Sequence, residues 1–338
     1  MKLSLSVVRR LMLYAALVLI VRSDLLAQDP HFSQFYANPV YTNPAFAGSS
    51  NHGRSVLNAR NQWSSISGTF TTLSAAYDEN FDKINGGLGF ILSRDEAGIG
   101  LLTTNTFSTA YSYIIPVNKY LTFRAAIQAS FVQKTLDFSN FTWGDQILKK
   151  QGIVKSVSSQ PIPNQSITFG NFAAGFIGYT KYIYGGFAIH NLTEPDQSFS
   201  NTTQAPISRR IIAHAGAQIP LVDDGGKNKR NNVNISPNFL FMQQQIPGGT
   251  FNELNLGMYY NKGSYVLGTF FRQTSVNSDA IILLIGLRRE KLRIGYSYDA
   301  TISKAQRGAP SSHEVSIAFE LRKKKPKKPI RAIRCPEF

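Results

Sequence analysis

The sequence predicts an all-β protein: a transmembrane antiparallel β-barrel of 14 strands, with an N-terminal strap or plug and a short basic tail. Three observations carry this. Apolar and polar residues alternate with a period of two along most of the chain, which is the strand signature. The connections alternate between short turns and long loops, as in outer-membrane barrels. Beyond the N-terminal leader no stretch approaches the run of about 18 apolar residues that a spanning helix needs, so a membrane-resident chain has to close a barrel.

Residues 1–27 read as a signal peptide, which marks the protein for export. Lys2, Arg9 and Arg10 form its positive end, and Leu11 to Val21 is an unbroken apolar run too short to span a bilayer. Cleavage after Ala27 leaves Gln28 first, although Leu25 is bulkier than the residue usual at the third position before a cut. The competing reading is a buried N-terminal helix. Arg22 to Asp24 break its apolar pattern, and no cap follows.

Residues 28–52 form the strap, which opens QDPHFSQFYANPVYTNPAFAG. Pro30, Pro39 and Pro44 are expected to deny it both helix and central-strand hydrogen bonding. Phe32, Phe35, Tyr36, Tyr41 and Phe46 stand among polar neighbours, which suits an extended segment lying on a wall. The segment from Gln28 to Ser50 is therefore expected inside the lumen or across its periplasmic mouth.

The barrel is placed at residues 53–322. Strands are read at 54–63, 69–80, 86–95, 101–115, 120–134, 168–179, 182–191, 208–220, 232–243, 251–261, 264–274, 279–288, 291–299 and 313–322. The last is the cleanest: Val315, Ile317, Phe319 and Leu321 alternate with Glu314, Ser316, Ala318 and Glu320. Alternation alone fits a soluble sandwich with its apolar faces inward as well as a barrel with those faces on lipid. Turn lengths favour the barrel. Short turns are expected at Asp82-Lys83, Asn118-Lys119, Thr180-Lys181, Asn261-Lys262 and Glu290-Lys291, and long loops at 135–167, 192–207, 244–250 and 300–312. Residues 222–231 are a longer polar turn on the short side. Tyr113, Tyr120, Tyr179, Tyr182, Tyr260 and Tyr265 cluster beside the short turns, where an interfacial girdle would lie, though tyrosine is common in any strand. With an even strand number both termini fall on the short-turn side, the periplasm.

Residues 323–338 form the basic tail. With Arg322, residues Lys323, Lys324, Lys325, Lys327, Lys328, Arg331 and Arg334 supply half of the formal net charge of +16. Pro326 and Pro329 keep the tail extended. It reads either as a dock for an acidic periplasmic partner or as a solvated end. Nucleic acid is not an expected partner, since an exported barrel does not meet it and no recognition helix or zinc motif is present.

No enzyme, metal or cofactor is expected. His31, His52, His190, His214 and His313 are scattered, Cys335 is the only cysteine, and no nucleophile elbow occurs. His214 reads as a hydrogen-bonded lumen residue beside Gln218. Gly86, Gly87 and Gly89 read as close packing or a kink in the wall.

The opening of the strap closely resembles the N-terminal signature of the PorP/SprF family, outer-membrane proteins of the type IX secretion system of Bacteroidota. The matched residues are Gln28-Asp29-Pro30, Phe32-Ser33-Gln34-Phe35, Asn38-Pro39 and Asn43-Pro44-Ala45-Phe46-Ala47-Gly48. The chain departs from a barrel that ends at an aromatic, having 16 residues after its last strand. The resemblance implies a non-enzymatic component that associates with the periplasmic ring proteins of the machine, or that exports or anchors a large secreted adhesin of the gliding and surface-attachment type. The residues expected to meet a partner are Phe32, Phe35, Tyr36, Asn38, Pro39, Asn43, Pro44 and Phe46, then Trp143 in the loop from Ser139 to Ile167, and Lys323, Lys324, Lys325, Lys327 and Lys328. The loop from Thr193 to Ser208 is a further candidate surface. A second reading, a channel for hydrophobic small molecules, rests on the likeness of Asn43-Pro44-Ala45 to an element in the N-terminal hatch of long-chain fatty-acid transporters.

Overall fold

The computed structural model describes residues 31–50, 53–64, 70–98, 102–138, 141, 144–148, 152–153, 165–200, 204–222, 232–247, 249–275, 279–289, 291–302 and 311–321. The expected signal peptide, Trp143 and the basic tail lie outside these residues.

Fourteen antiparallel strands form the wall. They are β1 (Gly53–Gln62), β2 (Phe70–Phe81), β3 (Gly86–Ala97), β4 (Leu102–Pro116), β5 (Thr122–Leu136), β6 (Ser166–Tyr179), β7 (Ile183–His190) and β8 (Arg210–Ala217, resuming as Ile219–Val222). They continue as β9 (Val233–Ile246), β10 (Gly249–Lys262), β11 (Tyr265–Thr274), β12 (Ala280–Arg289), β13 (Leu292–Thr301) and β14 (Ser311–Leu321). Each pairs with its sequence neighbour, and β1 pairs with β14 from Gly53↔Leu321 to Gln62↔Ser312, which closes the ring. Closure leaves no strand edge along the barrel's length to recruit another chain. The register slips in β8 between Pro220 and Val222, next to a residue with no amide to donate.

Burial resolves what alternation left open. Ile127 is 68% exposed and Ile285 59%, whereas Arg60 is 2% exposed and Asp299 1%. The apolar face is turned outward on strand after strand: Leu57, Leu92, Phe131, Leu283, Val315 and Phe319 are all exposed. Their neighbours Asn58, Gln128, Ser297 and Glu314 are buried in the bore. In water such a wall would expose far more apolar surface than soluble monomers tolerate; in a bilayer it meets acyl chains.

Both ends of the barrel sequence, Gly53 and Leu321, lie at the end that carries the turns at 82–85, 117–121 and 180–182. The opposite, long-loop end carries the connections at 137–165 and 191–209, and the first of these holds a small ladder of Ile147–Leu148 on Gly152–Ile153. Three expectations need correction. The connection expected as a long loop at 244–250 is a tight hairpin, because pairing runs out to Ile246↔Gly249. Asn261 and Lys262 belong to β10, and the turn falls at Gly263, whose φ of 59° suits a residue without a Cβ. Tyr179 is not part of the girdle: it points into the bore, 3.3 Å from Arg124 Nε.

Candidate functional site

Residues 31–50 lie in the bore, and the barrel is built to hold them. Pro39 and Pro44 do not abolish helix here. Each stands at the start of a short helical turn, Pro39–Thr42 and Pro44–Phe46, where its missing N–H would have had no partner and its fixed φ is already suitable. Asn43 caps the second turn, its Oδ1 accepting from Ala45 N at 2.9 Å. The expectation of an extended, non-helical strap therefore fails locally.

The segment runs from the long-loop half of the bore to the short-turn mouth. At its start, Glu314 accepts the amides of Ser33 at 2.7 Å and Gln34 at 3.2 Å. The Gln34 side chain donates to Ser297 Oγ and to the Glu314 carbonyl, and accepts from Ser316 Oγ. The Ser33 hydroxyl meets Asp299, Arg60 and Arg272. Arg60 also bonds Asp299 at 3.1 Å and Glu314 at 3.3 Å, and Arg272 bonds Asp299 at 3.0 Å. His31 Nε2 lies 3.7 Å from Glu253. Opposite charges and the segment's own donors thus offset part of the penalty that burial places on these carboxylates. Residues 31–34 thus lie in the long-loop half of the bore, beside this cluster.

The middle is aromatic. Phe35 meets Phe270 edge-on at 5.6 Å, Tyr36 meets Tyr184 at 5.9 Å, and Phe46 stacks on His214 at 5.2 Å. Phe32 packs edge-on against Tyr41. The Tyr36 hydroxyl donates to the carbonyls of Ala215 and Phe239, and Asn38 Nδ2 donates to Ser74 Oγ. Asn43 Nδ2 reaches the wall itself, donating to the carbonyls of Phe176 at 3.2 Å and Phe187 at 3.1 Å beside His214 Nε2 at 2.9 Å. His214 is thus a hydrogen-bonded bore residue.

At the short-turn mouth the segment is gripped by its backbone. Arg124 donates to the carbonyls of Ala47 at 2.7 Å and Gly48 at 2.8 Å, Ser112 Oγ donates to Ala47, and Gly48 N donates to Asp78, which also receives Arg54. Gly87 makes this approach possible: a Cβ there would stand 2.2 Å from the Ala47 carbonyl oxygen.

The eight strap residues expected to meet a partner are therefore together, and all are buried against the barrel. The wall residues that hold them, Arg60, Arg124, Arg272, Asp299 and Glu314, were visible only as charges on the polar face of strands. Among the described residues no cluster of three or more metal-ligating side chains occurs.

A closed barrel with its apolar face outward and a signature-bearing segment in its bore matches, over residues 25–319, the description type IX secretion system membrane protein PorP/SprF. The chain belongs to the PorP/SprF family. No curated protein matches it. Similar solved structures are outer-membrane barrels. The Ralstonia pickettii toluene transporter TbuX has a TM-score of 0.48 at 11% identity, covering 85% of this chain and 93% of that one. A Pseudomonas aeruginosa FadL homologue has 0.43 at 11%, covering 85% and 94%. Acinetobacter baumannii Omp33 has 0.42 at 8%, covering 80% and 99%. By its family and its closed, outwardly apolar wall, this PorP/SprF protein is a membrane β-barrel of the type IX secretion system.

Proposed function

We propose that this PorP/SprF protein is a non-enzymatic docking component of the type IX secretion system, which binds the periplasmic ring or a large secreted adhesin rather than conducting solutes. One observation carries the reading: the bore is occupied along its length by residues 31–50, whose polar groups are matched by dedicated wall partners from Glu314 to Arg124. A barrel built to hold its own N-terminal segment offers its rims to partners. In this reading the short-turn end faces the periplasm, the signal peptide is removed during export, and the tail from Lys323 to Lys328 docks on an acidic periplasmic protein. The described parts of the loop from Thr193 to Ser208, with the Asp196↔Pro206 bridge and the Glu194–Arg209 pair, offer a surface for a partner at the other end.

The channel reading has less support, because the apolar part of the bore around Phe35, Tyr184 and Phe270 is filled by the protein's own rings. Purification from the native outer membrane in mild detergent tests the choice. Co-purification of ring proteins or of a very large secreted polypeptide is expected. Isolation of the barrel alone, together with loss of hydrophobic-solute uptake on gene deletion, would overturn the proposal in favour of a channel.

A further inference from the structure

The barrel carries a lysine at every described hairpin of its short-turn end: Lys83, Lys119, Lys181, Lys262 and Lys291, all exposed. Among the described residues the carboxylates there are Asp78, Glu79, Asp82 and Glu320, engaged by Arg54, the Tyr77 hydroxyl, Asn80 Nδ2 and Arg293 respectively. At the long-loop end the balance reverses: Glu96, Asp137, Asp145, Glu194 and Asp196 stand against Arg94, Lys134 and Arg209 among the described residues. Among the described residues, charge is thus biased along the barrel axis.

A second observation concerns where these lysines sit. Lys119 Nζ lies 4.9 Å over the ring of Tyr120, and Lys181 Nζ 5.0 Å over the ring of Tyr182. Lys262 pairs across the hairpin with Tyr265. Tyr120 and Tyr265 are 66% and 68% exposed, and each lysine–tyrosine pair adjoins outward apolar residues such as Ile183 and Leu267. The Lys262–Tyr265 pair shares the outward phase of Tyr260 and Leu267, which places it on the outer wall at the edge of the apolar band, and Lys119–Tyr120 and Lys181–Tyr182 stand in turns of the same end beside outward Val117 and Ile183. An ammonium fixed over a ring beside a phenolic hydroxyl, with apolar wall on one side, matches a phosphate whose acyl chains run down that wall.

We propose that the pairs Lys119–Tyr120, Lys181–Tyr182 and Lys262–Tyr265 bind the phosphate headgroups of anionic phospholipids in the leaflet at the short-turn end. The proposal rests on the barrel reading but not on the secretion role. An acidic protein would be expected to meet lysines projecting axially from the mouth, whereas Lys262 and Tyr265 share the lipid-facing phase of their strands.

The full-length barrel, folded in nanodiscs of equal parts phosphatidylglycerol and phosphatidylcholine, tests this by native mass spectrometry after release. Retained phosphatidylglycerol should exceed phosphatidylcholine by roughly fivefold per site, the ratio for about 1 kcal/mol per surface lysine. The K119Q/K181Q/K262Q variant should lose that excess while keeping heat-modifiable gel mobility, and the corresponding Lys→Arg variant should restore it. Equal excess in the glutamine variant, or none in the wild type, would overturn the proposal. So would displacement of the lipid by millimolar inorganic phosphate or by polyglutamate, which would mark an ion or acidic-protein surface. Failure of the wild type to enter bilayers at all would instead sink the barrel reading beneath it.

Discussion

Arg124 of the wall donates to the carbonyl oxygen of Ala47 at 2.7 Å, so the barrel holds the segment in its bore by the backbone as well as by side chains. Arg124→Met keeps the aliphatic stem and removes both carbonyl contacts. Charge-assisted hydrogen bonds of this kind contribute about 1.5–3 kcal/mol. The expected outcome is cleavage of residues 45–50 under limited proteolysis that leaves the wild type intact, with the β-barrel circular dichroism spectrum unchanged.

Gly87 should tolerate no side chain. Gly87→Ala places a Cβ 2.2 Å from the Ala47 carbonyl oxygen, and overpacking of this kind costs about 1–3 kcal/mol. Gly144→Ala, with nothing within 4 Å, should be neutral. Denaturant unfolding of the two variants side by side measures the difference. Equal midpoints would show that the segment does not press on β3.

The ionic cluster at the long-loop half of the bore should respond very differently from an exposed pair. Asp299→Ala leaves Arg60 and Arg272 buried without their shared carboxylate, a loss of about 3–5 kcal/mol. Glu96→Ala, which breaks the exposed pair with Arg94, should cost about 0.2–1 kcal/mol. Urea titrations in lipid vesicles provide the comparison.

Ile285 lies outward near the middle of β12, and Leu292 outward at the start of β13. Ile285→Arg should destabilise the inserted barrel by about 2–4 kcal/mol and Leu292→Arg by about 0–1 kcal/mol, the depth dependence of a lipid-facing wall. Equal effects at both sites would mean that this face does not meet a bilayer core.

Removal of residues 322–338 should weaken association with the periplasmic machinery at low salt while leaving the barrel folded, and the difference should shrink as salt screens the tail. Quantitative pull-down across a salt series checks this; identical recovery of full-length and truncated protein at low salt would count against a docking role for Lys323 to Lys328.

Much of this protein was legible before folding. Hairpin turns and period-two alternation are local properties, and they located all 14 strands to within a few residues of Gly53–Gln62 through Ser311–Leu321. Local reading failed at a few places. Strands β9 and β10 run to a tight hairpin at Ile246↔Gly249 although the sequence there reads as a loop. Tyr179 turns inward to meet Arg124 on the neighbouring strand, and Pro39 and Pro44 start helical turns because each stands at a first position that needs no amide donor.

The sequence by itself determined strand number, strand phase and the family signature, since each depends on residues close together in the chain. Only the tertiary structure decided which face meets lipid and which carboxylate receives which arginine. It also decided that the signature segment threads the bore from the long-loop half to the short-turn mouth. The physical reason is ring closure: Gln34 reaches Glu314 across 280 positions only because β1 and β14 meet, and no local pattern encodes which bore residues closure will place opposite one another.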